Sequence, residues 1–204
     1  MSEAMLIALV TFGILSTLLV CVIFLGVAAP EASVRASRIV VAAPPERVWA
    51  LIADHASEPK WRQDLRAVER LPDSERGEEV WREAHFRGPP LTLRTLERIA
   101  PSGDAPGRLV RALRIERFLV DGRWEISIEP SPSGTLVTVT EFAVTESPFA
   151  RFFGLLPGAD RFLRLYLTSL AGVLGEQARF IAAPKPPYAD HASAPTRWTK
   201  TRSR

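Results

Sequence analysis

Residues 5–29 form an uninterrupted run of 25 positions without one charged side chain. A helix over such a run, at about 1.5 Å per residue, spans roughly 37 Å, enough to cross a hydrocarbon core of about 30 Å with some tilt. A secretory signal peptide fits less well. Only Glu3 precedes the run, so a basic leader segment is missing, and the apolar stretch exceeds the usual core of about 7–15 residues. A cut after Ala29 would also leave Pro30 at the new N-terminus. The run therefore predicts one uncleaved transmembrane helix, contacting the lipid bilayer through residues 5–29. Arg35, Arg38 and Arg47 follow it and no base precedes it, which favours a cytoplasmic C-terminal domain on a single-pass plasma (inner) membrane protein. Gly13 and Thr17 are small residues four apart, a weak helix-pairing signal beside plain lipid-facing packing.

The single cysteine, Cys21, lies inside that run, which excludes an intrachain disulfide and any CxxC-type metal site. Charge is partitioned along the chain. Residues 30–180 carry 21 Lys and Arg against 21 Asp and Glu. The basic excess sits in residues 181–204, where five bases face one acid. A domain with no net basic character argues against nucleic-acid binding, which needs a basic face to neutralise phosphates.

Residues 30–36 read as a short tether. Residues 37–42 then alternate, as a half-buried strand does, and Pro44-Pro45 stops them. Pro45 suits the first turn of a helix running to about Asp54, with Val48, Trp49, Leu51 and Ile52 inward and Glu46 and Arg47 wet. Residues 55–60 form a polar break before Trp61. From Leu65 onward the pattern is β: candidate strands over 67–71, 79–87, 91–99, 108–118, 123–129 and 135–144, separated by Gly/Pro-rich turns, predict an antiparallel meander. Asp121-Gly122 reads as a tight hairpin turn. Residues 148–156 are apolar nearly all round. Beyond Pro157-Gly158, Asp160 is placed to cap a long helix to about Ala182, with Leu163, Leu167, Leu170, Leu174 and Ile181 as its inward stripe. Residues 183–204 are too polar and Pro-rich to fold and read as a disordered basic tail.

The arrangement of a strand, then Ala43, Pro45, Glu46, Val48, Trp49, Leu51, Ile52 and Asp54, then Trp61, resembles the opening of the START-like SRPBCC superfamily, nearest its polyketide cyclase/dehydrase group. The hairpin WEISIEP with SGTLVTVTE and the closing LTSLAGVLGE are similar to later parts of that family. The resemblance covers residues 37–182. It implies an α+β helix-grip fold, a curved antiparallel sheet wrapped on a long C-terminal helix, here preceded by one transmembrane helix. It further implies an internal cavity for an apolar small molecule or lipid. The cavity-lining candidates are Phe86, Leu93, Leu113 and Ile126 on strands and Phe162, Tyr166 and Val173 on the last helix.

No nucleophile motif, phosphate loop or metal-ligand spacing is visible, so no catalytic residue, metal or cofactor is assigned. His55, His85 and His191 are scattered, and an ordinary partly buried histidine is the better reading of His85 than a ligand. Acid–base chemistry has one opening. Arg82 shares a face with Phe86, Glu97 with Leu93, and Glu141 with Val137 and Val139, so inward-pointing faces would bring an Arg–Glu pair into the cavity. Outward-pointing faces would leave only surface ion pairs. The apolar segment 149–156 is either core under the cavity or a patch resting on the bilayer. Arg197, Trp198, Lys200, Arg202 and Arg204 are either solvated or in contact with anionic headgroups. The favoured function is non-catalytic binding of a hydrophobic molecule. The alternatives are a cyclase/dehydratase-like enzyme, which requires that polar pair, and a membrane-tethered interaction protein without ligand.

Overall fold

The computed structural model describes residues 2–156, 158 and 160–183; the expected tail over 184–204 lies outside the described residues. In chain order the elements are α1 (Glu3–Ala28), β1 (Ala32–Val41), α2 (Pro45–Ala53), a 3-10 turn (His55–Lys60), β2 (Leu65–Leu71), β3 (Val80–His85), β4 (Leu91–Ile99), β5 (Gly107–Ile115), β6 (Val120–Ser131), β7 (Gly134–Thr145), α3 (Pro148–Gly154), α4 (Arg161–Val173) and β8 (Arg179–Ile181). The strands make one eight-stranded antiparallel sheet in the order β2-β3-β4-β5-β6-β7-β1-β8.

Helix α1 is long and apolar enough to cross a membrane, and Gly26 is its one buried residue. The domain behind it is built on the inner face of the curved sheet. Ile39 and Val41 of β1, Trp124, Ile126 and Ile128 of β6, and Val137 and Val139 of β7 alternate inward, each at period two. Against them pack Val48 and Ile52 of α2 and Leu163, Leu167 and Leu170 of α4. Pro45 opens α2, where its missing N–H costs nothing.

Three expectations are corrected. Strand β1 begins at Ala32 rather than 37 and pairs with β7 from Ala32↔Val144 to Val41↔Thr135, so most of the expected tether is strand. Polar Ser33, Arg35 and Ser37 hold its inward positions, which hides the alternation from a hydrophobicity reading.

Asp121-Gly122 is not a turn but lies within β6, opposite Arg114 and Leu113 of β5. The reversal falls earlier, at residues 116–119, where Leu119 adopts a left-handed conformation (φ 51°). Gly122 is needed for a different reason: a Cβ there would meet the Phe142 carbonyl and the Leu113 side chain.

The long C-terminal helix is shorter than expected. Helix α4 ends at Val173, because Gly175 takes a left-handed φ of 79°. The Glu176 N–H then donates to the Ala171 carbonyl (2.9 Å) and the Gly175 N–H to Gly172 (3.0 Å), the two bonds of a Schellman cap. The Glu176 carboxylate next accepts from the Ala42 and Ala43 N–H groups (2.7 and 3.1 Å), and the returning chain adds β8 to β1.

Gly134, at the β6–β7 reversal, has φ 126°, and a Cβ there would run into the Val41 carbonyl. Gly134→Ala is expected to cost about 2–3 kcal/mol of stability. Denaturant unfolding of the full chain in detergent measures this, and an unchanged midpoint would refute the tight β6–β7–β1 junction.

Candidate functional site

One half of the sheet's inner face carries charge. On β3 the inward residues are Trp81, Glu83 and His85, because Trp81 pairs opposite Leu93 and Glu83 opposite Leu91, both core residues. On β5, Arg111 sits between inward Leu109 and Leu113. The 3-10 turn after α2 adds His55 and Glu58, and the chain leading to β2 adds Arg62 and Asp64.

These groups form a connected network. Arg62 Nη1 donates to Glu58 Oε2 and to Glu83 Oε1, both at 2.8 Å. Its Nε and Nη2 hold Asp64 as a two-point fork (3.3 and 2.7 Å). Arg111 Nη1 donates to Glu58 Oε1 at 2.8 Å, and its Nη2 to the Ile52 carbonyl at 3.3 Å. His55 Nδ1 lies 2.7 Å from Glu58 Oε1 and its Nε2 3.4 Å from Glu83 Oε1. Both nitrogens of His85 meet a carboxylate at 3.2 Å, Nδ1 at Asp64 and Nε2 at Glu83. A doubly protonated imidazole is a donor at both nitrogens and suits carboxylates on both sides.

The electrostatics follow from that geometry. Burial alone would raise the Glu58 pKa, but Arg111, His55 and Arg62 hold it well below the usual carboxylate range. Asp64 is lowered in the same way, its burial overcome by hydrogen bonds from His85 and Arg62. Glu83 is also lowered, its burial overcome chiefly by Arg62 and His85. For His85, burial opposes the charged form, and the bonds to Asp64 and Glu83 raise its pKa to about 9. Two guanidiniums and two imidazoles thus surround three carboxylates. His55, Glu58 and Glu83 each offer a ligand atom within 4.8 Å of the others, the geometry of a cation site. Both carboxylates already accept from Arg62, and Glu58 Oε1 also accepts from Arg111, so the donor set fits the guanidiniums and not a metal.

The other half of the inner face is hollow. A cavity of about 600 Å³ lies between α3, the start of β1, and β5–β7, within the usual size of small-molecule sites. Leu113, Ile115, Val120, Ala143, Phe153 and Phe162 line it, together with Ala29 and Pro30 just beyond α1. Two ion pairs stand in its wall: Arg151 Nη2 donates to Glu31 Oε1 (3.0 Å), and Arg35 Nη1 donates to Glu141 Oε1 (3.2 Å) while Trp124 Nε1 donates to Glu141 Oε2 (2.8 Å). The two halves touch at Phe162, which lines the cavity and sets its ring edge-on to His85 at 5.4 Å.

Of the residues expected to line a cavity, Leu113 and Phe162 do so here. Leu93, Ile126 and Tyr166 are packed in the solid core. Phe86 is 66% exposed, one position past the inward-facing His85, and Val173 is 41% exposed at the end of α4. The structure brings neither to the cavity. Of the three acid–base candidates, Arg82 pairs with Glu69 and Glu97 with Arg108 at the surface, and Glu141 alone faces the cavity.

Sequence reasoning missed the network entirely. His55 and Glu58 looked like a polar break, and the apolar-looking face of β3 (Val80, Ala84, then Phe86) outcompeted the true inner one. The available signal was Arg111, a charge at an otherwise apolar period-two position between Leu109 and Leu113.

A profile of the family described as "Polyketide cyclase / dehydrase and lipid transport" matches residues 31–175, from the residue before β1 to the cap of α4. No curated protein matches the chain. Among solved structures, the chain is similar to the Zhui aromatase/cyclase from Streptomyces sp. R1128, with 16% identity over 71% of this chain and 93% of that one and a TM-score of 0.50. It is also similar to protein MLL2253 from Mesorhizobium loti, with 15% identity, 70% and 97% coverage and a TM-score of 0.53. A third is norcoclaurine synthase from Thalictrum flavum, with 10% identity, 70% and 94% coverage and a TM-score of 0.52. At these identities the likeness is one of fold.

Two outcomes test the network. Glu58→Gln leaves Arg62 and Arg111 one charge out of balance in a buried setting and is expected to cost about 3–5 kcal/mol. A loss under about 1 kcal/mol in denaturant unfolding would mean the pairing is dispensable. The second is pH dependence. His85 contributes stability that is full below its ordinary pKa of 6.5 and lost as pH rises toward about 9, whereas Glu58, at an ordinary value of 4.5, and Asp64 lose theirs on acidification. Stability is therefore expected to peak near pH 5–6 and to fall by roughly 2 kcal/mol by pH 9.5, less than the rise of the His85 pKa would give without solvent screening. His85→Gln should flatten the alkaline decline; a decline that persists there would show that another group drives it.

Proposed function

Because the chain belongs to the polyketide cyclase / dehydrase and lipid transport family, we propose that its domain binds a hydrophobic small molecule, a lipid or isoprenoid, in the cavity without chemical turnover, and that α1 holds the domain at a membrane. The observation that carries this reading is the cavity's composition and position. Apolar side chains line most of it, its volume suits a small ligand, and Ala29 and Pro30 in its wall directly follow an apolar helix of membrane-spanning length. Arg35, Arg38 and Arg47 after α1 support a domain on the cytoplasmic side of the inner membrane.

A cyclase-like reading has one observation in its favour, a carboxylate inside the cavity. Both oxygens of Glu141 are already engaged, by Arg35 and by Trp124, which suits a fixed polar contact for a ligand's head better than a mobile proton acceptor.

The test is native mass spectrometry of the full chain extracted from its membrane. A bound apolar molecule is expected, and Ala143→Trp, which fills the cavity from β7, should reduce its occupancy about tenfold or more, equivalent to about 1.4 kcal/mol or more of lost affinity. An empty wild-type cavity, or equal occupancy in the variant, would overturn the proposal. Glu141→Gln should leave the ligand's mass unaltered; accumulation of a chemically different species would favour the cyclase reading.

A further inference from the structure

Helix α3 leaves an apolar face open beside the end of α1. Phe149, Phe153, Leu155 and Leu156, with Phe162 at the start of α4, are each between 43% and 53% exposed. The rings of Phe149 and Phe153 stack edge-on at 4.8 Å, so the patch is a built surface rather than scattered side chains. Arg151, the one charge on α3, is turned away from the patch: it donates to the Thr145 and Glu146 carbonyls (both 2.9 Å) and to Glu31 (3.0 Å).

The depth of this patch follows from one contact. Gly26, in the last turn of α1, lies so close under Pro148 that a Cβ on it would collide with the Pro148 carbonyl. Gly26 is three residues before the end of the uncharged run at Ala29, so α3 is held about one helical turn, some 5 Å, inside the level where that run ends. If α1 spans a bilayer, that level is the boundary between headgroups and acyl chains. An aromatic and leucine face lacking outward charge is the kind of surface that partitions there.

We propose that the exposed face of α3, with Leu155, Leu156 and Phe162, docks into the acyl–headgroup boundary of the same bilayer that α1 crosses, so that the cavity opens into the membrane and its ligand enters laterally. This rests on the reading of α1 as a membrane anchor. The occupant is lipid rather than a second protein, because the clamp at Gly26 fixes the patch to a helix that carries no charge after Glu3 and, Gly26 apart, leaves its apolar side chains largely exposed. The same residues that face outward also wall the cavity: Phe149, Phe153, Leu155 and Phe162 line it. Lipid contact and ligand entry therefore share one surface.

Fluorescence quenching in vesicles tests this on the full chain. With Cys21 replaced by Ser, single cysteines at positions 12, 86, 153 and 156 carry an environment-sensitive dye, and the chain is reconstituted into phosphatidylcholine vesicles with or without nitroxide-labelled lipid. Position 12 reports on the anchor, and position 86 is an exposed site remote from the patch. The expected result is lipid quenching at 153 and 156 that is several-fold that at 86 and comparable to that at 12. Gly26→Leu should weaken quenching at 153 and 156 while leaving position 12 unchanged. Quenching at 12 without quenching at 153 and 156 overturns the proposal with the anchor intact. A shielded but unquenched patch means a protein covers it, and also overturns the proposal. Absence of quenching at 12 overturns the anchor and this inference together, while cavity binding is scored separately by mass spectrometry.

Discussion

Arg62, lying between two buried carboxylates, ties three parts of the chain to one side chain. Through Glu58 it holds the 3-10 turn, through Glu83 it holds β3, and through Asp64 it fixes the entry to β2, while Arg111 extends the hub to β5. Each buried ion costs several kcal/mol to desolvate, so such a hub is a poor source of net stability. Its effect is on which structure forms. A one-residue slip of β3 would replace Glu83 with Arg82 and set a third guanidinium beside Arg62 and Arg111. The register of the β3 edge is therefore enforced by charge, where most of the sheet is enforced by apolar alternation.

Solid packing on the charged half frees the other half to stay open. Tyr166 marks the divide, its ring under the Arg62 guanidinium at 5.4 Å and edge-on to Trp61 and Trp124 at 5.5 and 6.0 Å. Past Trp124 the inner face is mostly apolar around the Arg35–Glu141 pair, and α3 stands off from it instead of filling it. The ion-paired network, the aromatic divide and the hollow end form a gradient along one sheet face, with the hollow end next to α1.

Much of this was legible in the sequence where apolar periodicity decides the structure. The uncharged run at 5–29, the α2 motif ending at Trp61, the meander and the Leu163–Leu167–Leu170 stripe were all readable. Features set by polar contacts were not. The inward positions of β1 are Ser33, Arg35 and Ser37, so its first half resembled a tether. The network joins Glu58 to Arg111 across 53 positions, and no local pattern announces such a pairing. The end of α4 was legible in principle, since Gly175 followed by Glu176 is a cap signal, but the continuing apolar residues masked it.

The central claim is that one sheet face is divided into a sealed, ion-paired half and a hollow that holds an apolar chain. Anomalous diffraction from crystals of the full chain carrying a bromine-tagged acyl ligand locates that chain directly. The account predicts a bromine peak between α3 and β5–β7, within the space bounded by Leu113, Ala143 and Phe153, with the contacts of Arg62 unchanged. A peak that displaces the Glu58 or Glu83 contacts, or bromine bound only on the outer surface, would contradict it.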